Sequence, residues 1–197
     1  MSAALGIPVS DGADAERAGR SLGERIDAVY REHFPAVWRG LRRLGVPERS
    51  LEDAAQDVFL IVHRRANDFE GRSSLRTWIY GIAVRVAKDY RRAEARHSQR
   101  VEHLAAELLH EPASASTPAD EAERREANRL LHAALGALKE ELRDVLVLVE
   151  LEQLPVRDAA AALGLRVRTC QRRLRAAHQA FEGALAAHAL STRRSDD

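Results

Sequence analysis

The chain has 197 residues, 45% hydrophobic, 5% aromatic and 31% charged. That length supports one or two small domains with a core each, and a composition led by Ala, Leu and Arg favours helices over sheets, so an all-α protein is expected. A net charge of +1 excludes attraction to nucleic acid by the surface as a whole and leaves it to local patches, the single Cys170 excludes an internal disulfide, and no apolar run is long enough to span a bilayer, so a cytoplasmic protein is expected.

Residues 1–22 carry glycines, one proline and scattered charges without helical periodicity, and neither a charged start nor the apolar core of a secretory signal; a disordered tail is expected. A first helical domain follows over 23–97. Ile26, Val29, Tyr30, Phe34, Val37, Trp38, Leu41 and Leu44 recur at helical spacing, with Pro35 expected to bend or divide the segment and Gly45 and Pro47 to end it. Ala54, Ala55, Val58 and Val62 predict a second helix over Leu51–Arg65, with Ser50 and Asp53 as a capping box. Asn67, Asp68, Gly71, Ser73 and Ser74 make a loop, after which Leu75, Ile79, Ile82, Val86 and Tyr90 form an apolar stripe opposite Arg76, Tyr80, Lys88 and Arg91. From Arg76 to Arg100 there are seven Lys and Arg against two acids. Such a face suits a phosphate backbone, and Trp78 and Tyr80 offer stacking surfaces to unpaired bases; equally, basic helix faces are commonly just solvated, and Trp78 adjoins the apolar stripe, where a core position is the more usual fate.

Residues 98–125, with two prolines, small residues and twice as many acids as bases, read as a flexible linker with a short helix over Val101–Leu109. A second domain is expected over 126–190. Leu130, Leu131, Ala134, Leu135 and Leu138 lie on one helix; Leu142, Val145, Leu146, Leu148, Val149 and Leu151 lie on a second that is apolar nearly all round and hence buried. Pro155 is placed to begin a short helix, Gly164 supplies a turn, and Val167, Cys170, Leu174, Ala177 and Phe181 form the buried side of the last helix. Short helix, glycine turn and basic helix is the helix-turn-helix pattern. The outward side of the last helix presents Arg168, Thr169, Gln171, Arg172 and Arg175, and Arg and Gln are the side chains able to pair two hydrogen bonds with guanine or adenine edges. A short charged tail, 191–197, is expected to be disordered.

Glu52-Asp53-x-x-Gln56-Asp57-Val58-Phe59, then a polar loop, Thr77-Trp78-Ile79-x-x-Ile82-Ala83 and Asp89-Tyr90-Arg91-Arg92 resemble conserved region two of the sigma-70 family, in the form found in the small extracytoplasmic-function (ECF) sigma factors. Leu154, Asp158-Ala159-Ala160, Leu163-Gly164, Thr169, Arg173-Leu174 and Ala177 resemble region four. The two halves stand in the family's order and separation. Departures are Arg85 for the family's Asn, Arg168 for its Gly, Cys170 for its Val, Ala159 for its Ile and Ala176 for its Arg, and Arg166 stands where Ser or Pro often starts the recognition helix.

The resemblance implies a promoter-specific transcription initiation factor that is not an enzyme, needs no cofactor or metal, and binds core RNA polymerase and promoter DNA. It implies that Asp53, Gln56 and Asp57, with Phe59 and Val62 nearby, dock on the clamp helices of the largest polymerase subunit. Phe69, Gly71, Arg72, Ser73 and Ser74 then capture an extruded base of the minus-ten element, and Arg76, Trp78, Arg85 and Lys88 hold the opened strand. Arg166, Arg168, Thr169, Gln171, Arg172 and Arg175 read the minus-thirty-five duplex. It leaves room for an anti-sigma partner, and no membrane is involved. Two other readings use the same residues: a stand-alone helix-turn-helix regulator, for which no ligand or dimerisation domain is evident, and a metal-dependent hydrolase on Glu52, Asp53, Asp57 and His63, which lacks a second ligand cluster.

Overall fold

A computed structural model describes the backbone over residues 26–104 and 119–195, with side chains over 26–97 and 126–188. Seven α-helices and no strand occur among these residues. In the first half, α1 is Ile26–Arg43, α2 is Leu51–Arg64 and α3 is Leu75–Leu104. In the second, α4 is Ala119–Ala137, α5 is Glu140–Leu146, α6 is Val156–Ala162 and α7 is Val167–Ser195. The expected N-terminal tail lies outside the described residues. The expected linker is helical at both ends, through Leu104 in α3 and from Ala119 in α4, with 105–118 outside the description. The expected C-terminal tail is helical as far as Ser195, since Ala, Leu and Arg after Phe181 are good helix formers with no proline to stop them.

Pro35 does not divide α1. It sits on the exposed side, as does Arg31, whose carbonyl loses its donor. Ser50 makes no capping-box bond, because the chain enters α2 already wound, from a 3₁₀ turn at Glu48–Ser50 closed by Ser50 N–H donating to the Pro47 carbonyl at 2.9 Å. The cap that does form is at α3, where Ser74 Oγ accepts from the Thr77 N–H at 3.0 Å. At the α4–α5 corner the Arg143 guanidinium donates to the carbonyls of Leu135, Gly136 and Leu138, satisfying groups that the end of α4 leaves without partners. Beyond α5 the helix widens into a π turn over Val147–Leu151, and the chain leaves it through Gln153 at φ 54.

α1, α2 and α3 bury Val29, Val37, Leu41, Leu51, Ala54, Ala55, Val58, Val62, Ile79, Ile82, Ala83, Val86 and Ala87 against one another. The second half buries Leu135, Val145 to Leu148, Ala159, Ala160, Cys170 and Ala177. Complete burial of each larger aliphatic contributes roughly 1.5–3 kcal/mol. The two clusters are continuous. α6 lies on α3 so closely that a Cβ on Gly81 would stand 3.5 Å from the Ala162 carbonyl oxygen and 3.6 Å from its Cα. The halves are therefore docked on each other, a contact that the reading of 98–125 as a flexible linker did not foresee.

Candidate nucleic-acid interface

The loop before α3 opens a cleft of about 600 Å³ lined by Arg65, Asn67, Asp68, Phe69, Glu70, Arg72, Ser73 and Trp78. Phe69 and Trp78 face each other with ring centroids 5.4 Å apart, tilted by 51°, and both are half-buried. Gly71, at φ 68, turns the loop in a conformation a side chain would strain, and a Cβ there would meet nothing. Arg72 is exposed and pairs with Glu70 at 2.8 Å. Ser74 is committed to capping α3. A smaller cleft of about 160 Å³ continues past Trp78, lined by Thr77, Gly81, Ile82 and Arg85 from α3 and by Ala161 and Ala162 from α6. The structure thus brings Phe69, Arg72, Ser73, Trp78 and Arg85 to one concave, partly basic surface, with Gly71 in the loop but outside its lining.

Farther along α3 the side expected to be open is covered. Tyr80 is 1% exposed, and its hydroxyl donates to the Glu152 carboxylate at the end of the π turn. Arg43 Nη1 donates to Glu152 Oε1 at 2.8 Å, and Arg76 Nη2 to the Glu152 carbonyl at 2.6 Å, with its guanidinium 5.6 Å from the centre of the Tyr80 ring. Thr77 Oγ1 donates to Asp158 Oδ2 at 3.3 Å. Lys88 lies 3.7 Å from Glu140, and Arg91 reaches Glu140 at 3.0 Å, Asp144 at 3.3 Å and the Leu44 carbonyl. Tyr80 is therefore a buried seam residue, contrary to its expected place as an open stacking surface. Burial, then the hydrogen bond and negative charge of Glu152, push its phenol pKa well above the usual value.

The acids of the seam respond differently. Burial raises Glu140, but the Arg91 hydrogen bond and charge, with Lys88 and Arg92, outweigh it and hold the carboxyl below its ordinary range. For Asp144 burial dominates, and the carboxyl is pushed up to about 6. Asp144 Oδ1 accepts no hydrogen bond despite its ion pair with Arg91.

On α2, Asp53, Gln56 and Asp57 are exposed on one side, and the Tyr90 hydroxyl donates to Asp57 Oδ2 at 2.8 Å. Burial, with the Asp57 bond and charge, pushes Tyr90 up to about 12. Phe59 and Val62 are 6% and 0% exposed; they build the core beneath the acidic side and present no surface for a partner. Among the described residues no group of three or more His, Cys, Asp or Glu side chains is placed to hold a metal.

α6, the Gly164 turn at φ 65 and α7 form the expected helix-turn-helix, with Pro155 immediately before α6. Arg166, Arg168, Gln171, Arg172 and Arg175 are exposed and Thr169 is half-buried, all on the first turns of α7 or just ahead of it. Cys170 and Ala177 are buried, and Leu174 and Phe181 half-buried. Val167, expected on the buried side, is 43% exposed because the first turn of α7 projects past the helices it packs against. The seam residues Arg43, Asp144, Glu152 and Asp158 were not anticipated; Glu152 directly follows an apolar run that reads as a plain buried helix.

Residues 29–97 match the family model of Sigma-70 region 2, and residues 128–180 match Sigma-70, region 4. The ECF RNA polymerase sigma-E factor of Escherichia coli K12 is 30% identical over 142 residues, which cover 70% of this chain and 74% of that protein. That of Haemophilus influenzae is 29% identical over 148 residues, 73% and 78% of the two chains. CnrH, solved in complex with the cytosolic domain of CnrY, shares the fold at a TM-score of 0.63 and 23% identity, over 89% of this chain and 95% of that one. The sigma factor RpoE of Bartonella quintana, solved with the anti-sigma factor NepR, does so at 0.61 and 20%, over 81% and 96%. With both conserved regions in order, an intact helix-turn-helix and this degree of identity, the chain belongs to the ECF sigma factors of the sigma-70 family, which bind RNA polymerase and direct transcription initiation.

Proposed function

We propose that promoter recognition is divided between the two basic surfaces. The Phe69–Trp78 cleft takes an unpaired base of the minus-ten element, with Gly71, Arg72 and Ser73 at its rim and Ser74 fixing the end of α3; Trp78, Arg76, Arg85 and Lys88 hold the strand beyond it. Extruding a base costs a few kcal/mol, which ring stacking and phosphate contacts offset. The observation that carries this reading is the open cleft of about 600 Å³ between the two aromatic rings and the loop. Arg166, Arg168, Thr169, Gln171, Arg172 and Arg175 anchor the minus-thirty-five duplex in the major groove.

Asp53, Gln56 and Asp57 supply the side that docks on the polymerase clamp helices, with Phe59 and Val62 acting only as the core that holds α2 straight. Charge complementarity at such a surface governs association more than final affinity. An anti-sigma partner holds the chain inactive, as the similar RpoE of Bartonella quintana was solved with the anti-sigma factor NepR. Action is cytoplasmic, where the polymerase meets the genome; among the described residues no helix is long and apolar enough to cross a membrane.

The test is permanganate footprinting of thymines on a cognate promoter with core polymerase. Wild type should open the strands. Trp78→Ala should bind the promoter but leave its thymines unreactive, and Arg168→Ala should weaken binding before opening. Full opening by Trp78→Ala would remove the cleft from the mechanism.

A further inference from the structure

The acids of the seam are all engaged: Glu140, Asp144 and Glu152 by arginines, and Asp158 by the Thr77 hydroxyl. The exposed acids of α2 differ. Asp53 and Asp57 pair with no cation among the described residues, and the one side-chain bond that either makes is Asp57 Oδ2 accepting from the Tyr90 hydroxyl at 2.8 Å. Spacing puts Tyr90 in the apolar stripe of α3, where only its ring would count. Its ring is half-buried there, and its hydroxyl reaches across to the acidic side of α2.

That bond holds the carboxylate without neutralising it. Burial, the Asp57 bond and the charges of Asp57 and Asp53 push the phenol up to about 12, so at neutral pH it is an uncharged donor. A lysine or arginine in its place would cancel the negative charge; a neutral donor leaves it whole. An ionised carboxylate has about four acceptor sites, and this bond uses one, so Oδ1 stays open to an incoming cation. The tyrosine is itself firmly placed. Val86 and Ala87, one turn earlier, are buried in the core that α3 shares with α2, and Glu94, one turn later, pairs with Arg49 in the 3₁₀ turn leading into α2.

We infer that Tyr90 is a positioning residue for polymerase docking: from α3 its hydroxyl holds the Asp57 carboxylate of α2 in one orientation, with its charge intact, for a cation of the partner. This role rests on the docking of Asp53, Gln56 and Asp57 proposed above. Without the bond, Asp57 moves among its rotamers and must be ordered when the partner arrives. Ordering one side chain corresponds to roughly threefold to tenfold in affinity.

Surface plasmon resonance of the full chain on immobilised core RNA polymerase, at several salt concentrations, separates association from dissociation. Tyr90→Phe keeps the ring and every charge. It should dissociate about threefold to tenfold faster, with association rate and salt dependence as in wild type. Asp57→Ala removes a charge, and should also slow association and flatten the salt dependence. In the Asp57→Ala background Tyr90→Phe should have no further effect, a result that general loosening of α3 on α2 would not give. An unchanged dissociation rate in Tyr90→Phe, or the same loss with Asp57 already removed, overturns the positioning role and leaves the docking side of α2 standing. Wild-type binding by Asp57→Ala removes Asp57 from docking, and the role of Tyr90 with it.

Discussion

The Tyr80 hydroxyl donates to the Glu152 carboxylate across the seam between the two halves, and the residues are 1% and 4% exposed. A hydrogen bond to a charged acceptor out of reach of water contributes about 1.5–3 kcal/mol. Tyr80→Phe keeps the ring on Gly40 and removes this bond together with the longer 3.4 Å contact of the hydroxyl to the Ala36 carbonyl, leaving Glu152 to Arg43 and Arg76. Urea denaturation should show that loss. In a cycle with Glu152→Gln the two changes should be non-additive by about 1 kcal/mol or more; simple additivity would mean that the bond contributes nothing to the folded chain.

Asp144 gives the seam a pH dependence of defined sign. Its carboxyl titrates at about 6 in the folded chain against 3.8 when unperturbed, chiefly through burial, with Glu140 adding to the rise and Arg91 opposing it. The folded state therefore takes up this proton first as pH falls, so stability from this group is gained between about 6 and 3.8 and lost as pH rises through that window. Two pKa units correspond to about 3 kcal/mol. Asp144→Asn should be as stable as wild type or more so at pH 7, with Arg91 still held by Glu140 and the Leu44 carbonyl. Comparing urea midpoints of the two proteins from pH 7 to pH 4, wild type should gain on the variant throughout; parallel curves would show that the carboxyl titrates normally.

Gly45 and Gly164 both adopt left-handed backbone, at φ 88 and 65, yet they should respond unequally to alanine. The backbone cost is about 1–2 kcal/mol in each case. At Gly164 a Cβ meets nothing, whereas at Gly45 it would stand 2.3 Å from Arg143 Nη1, and Arg143 is the group closing α4 through three carbonyls. Gly45→Ala should therefore lower the thermal midpoint clearly more than Gly164→Ala. Equal shifts would mean that Arg143 moves aside at no cost.

Much of this architecture is legible in the sequence, because helical spacing reports burial directly: Val58, Val62, Ile79, Ile82 and Val86 fell on the faces expected of them. The recognition helix was equally plain from Pro155, Gly164 and the arginines after it. The seam was not. Tyr80 reads as an outer aromatic because periodicity describes one helix, while its burial depends on where another helix docks. Glu152 reads as one more polar residue at a helix end, and its inward direction comes from a π turn and a left-handed residue that composition does not announce. Val167 erred for a related reason: the first turn of a helix can follow the apolar period and still project beyond its neighbours.

The exposed side of α7 should separate into residues that specify and residues that position. In a helix-turn-helix the first turns of the second helix meet base edges, and positions further along approach the backbone. Arg168 and Gln171 occupy the first turns, one turn apart, and Arg175 follows one turn later, all exposed. Gln171→Ala should cost about 1–3 kcal/mol against the preferred base pair at one position and little elsewhere, with the salt dependence unchanged. Arg168→Ala should relax specificity at a neighbouring position. Arg175→Ala should weaken binding to all duplexes alike and lower the slope of log affinity against log salt by about one. The measurement is fluorescence anisotropy of minus-thirty-five duplexes carrying single base-pair changes, at several salt concentrations, with the holoenzyme. A base-specific loss for Arg175→Ala, or a uniform loss for Gln171→Ala, would reverse the orientation of α7 in the groove.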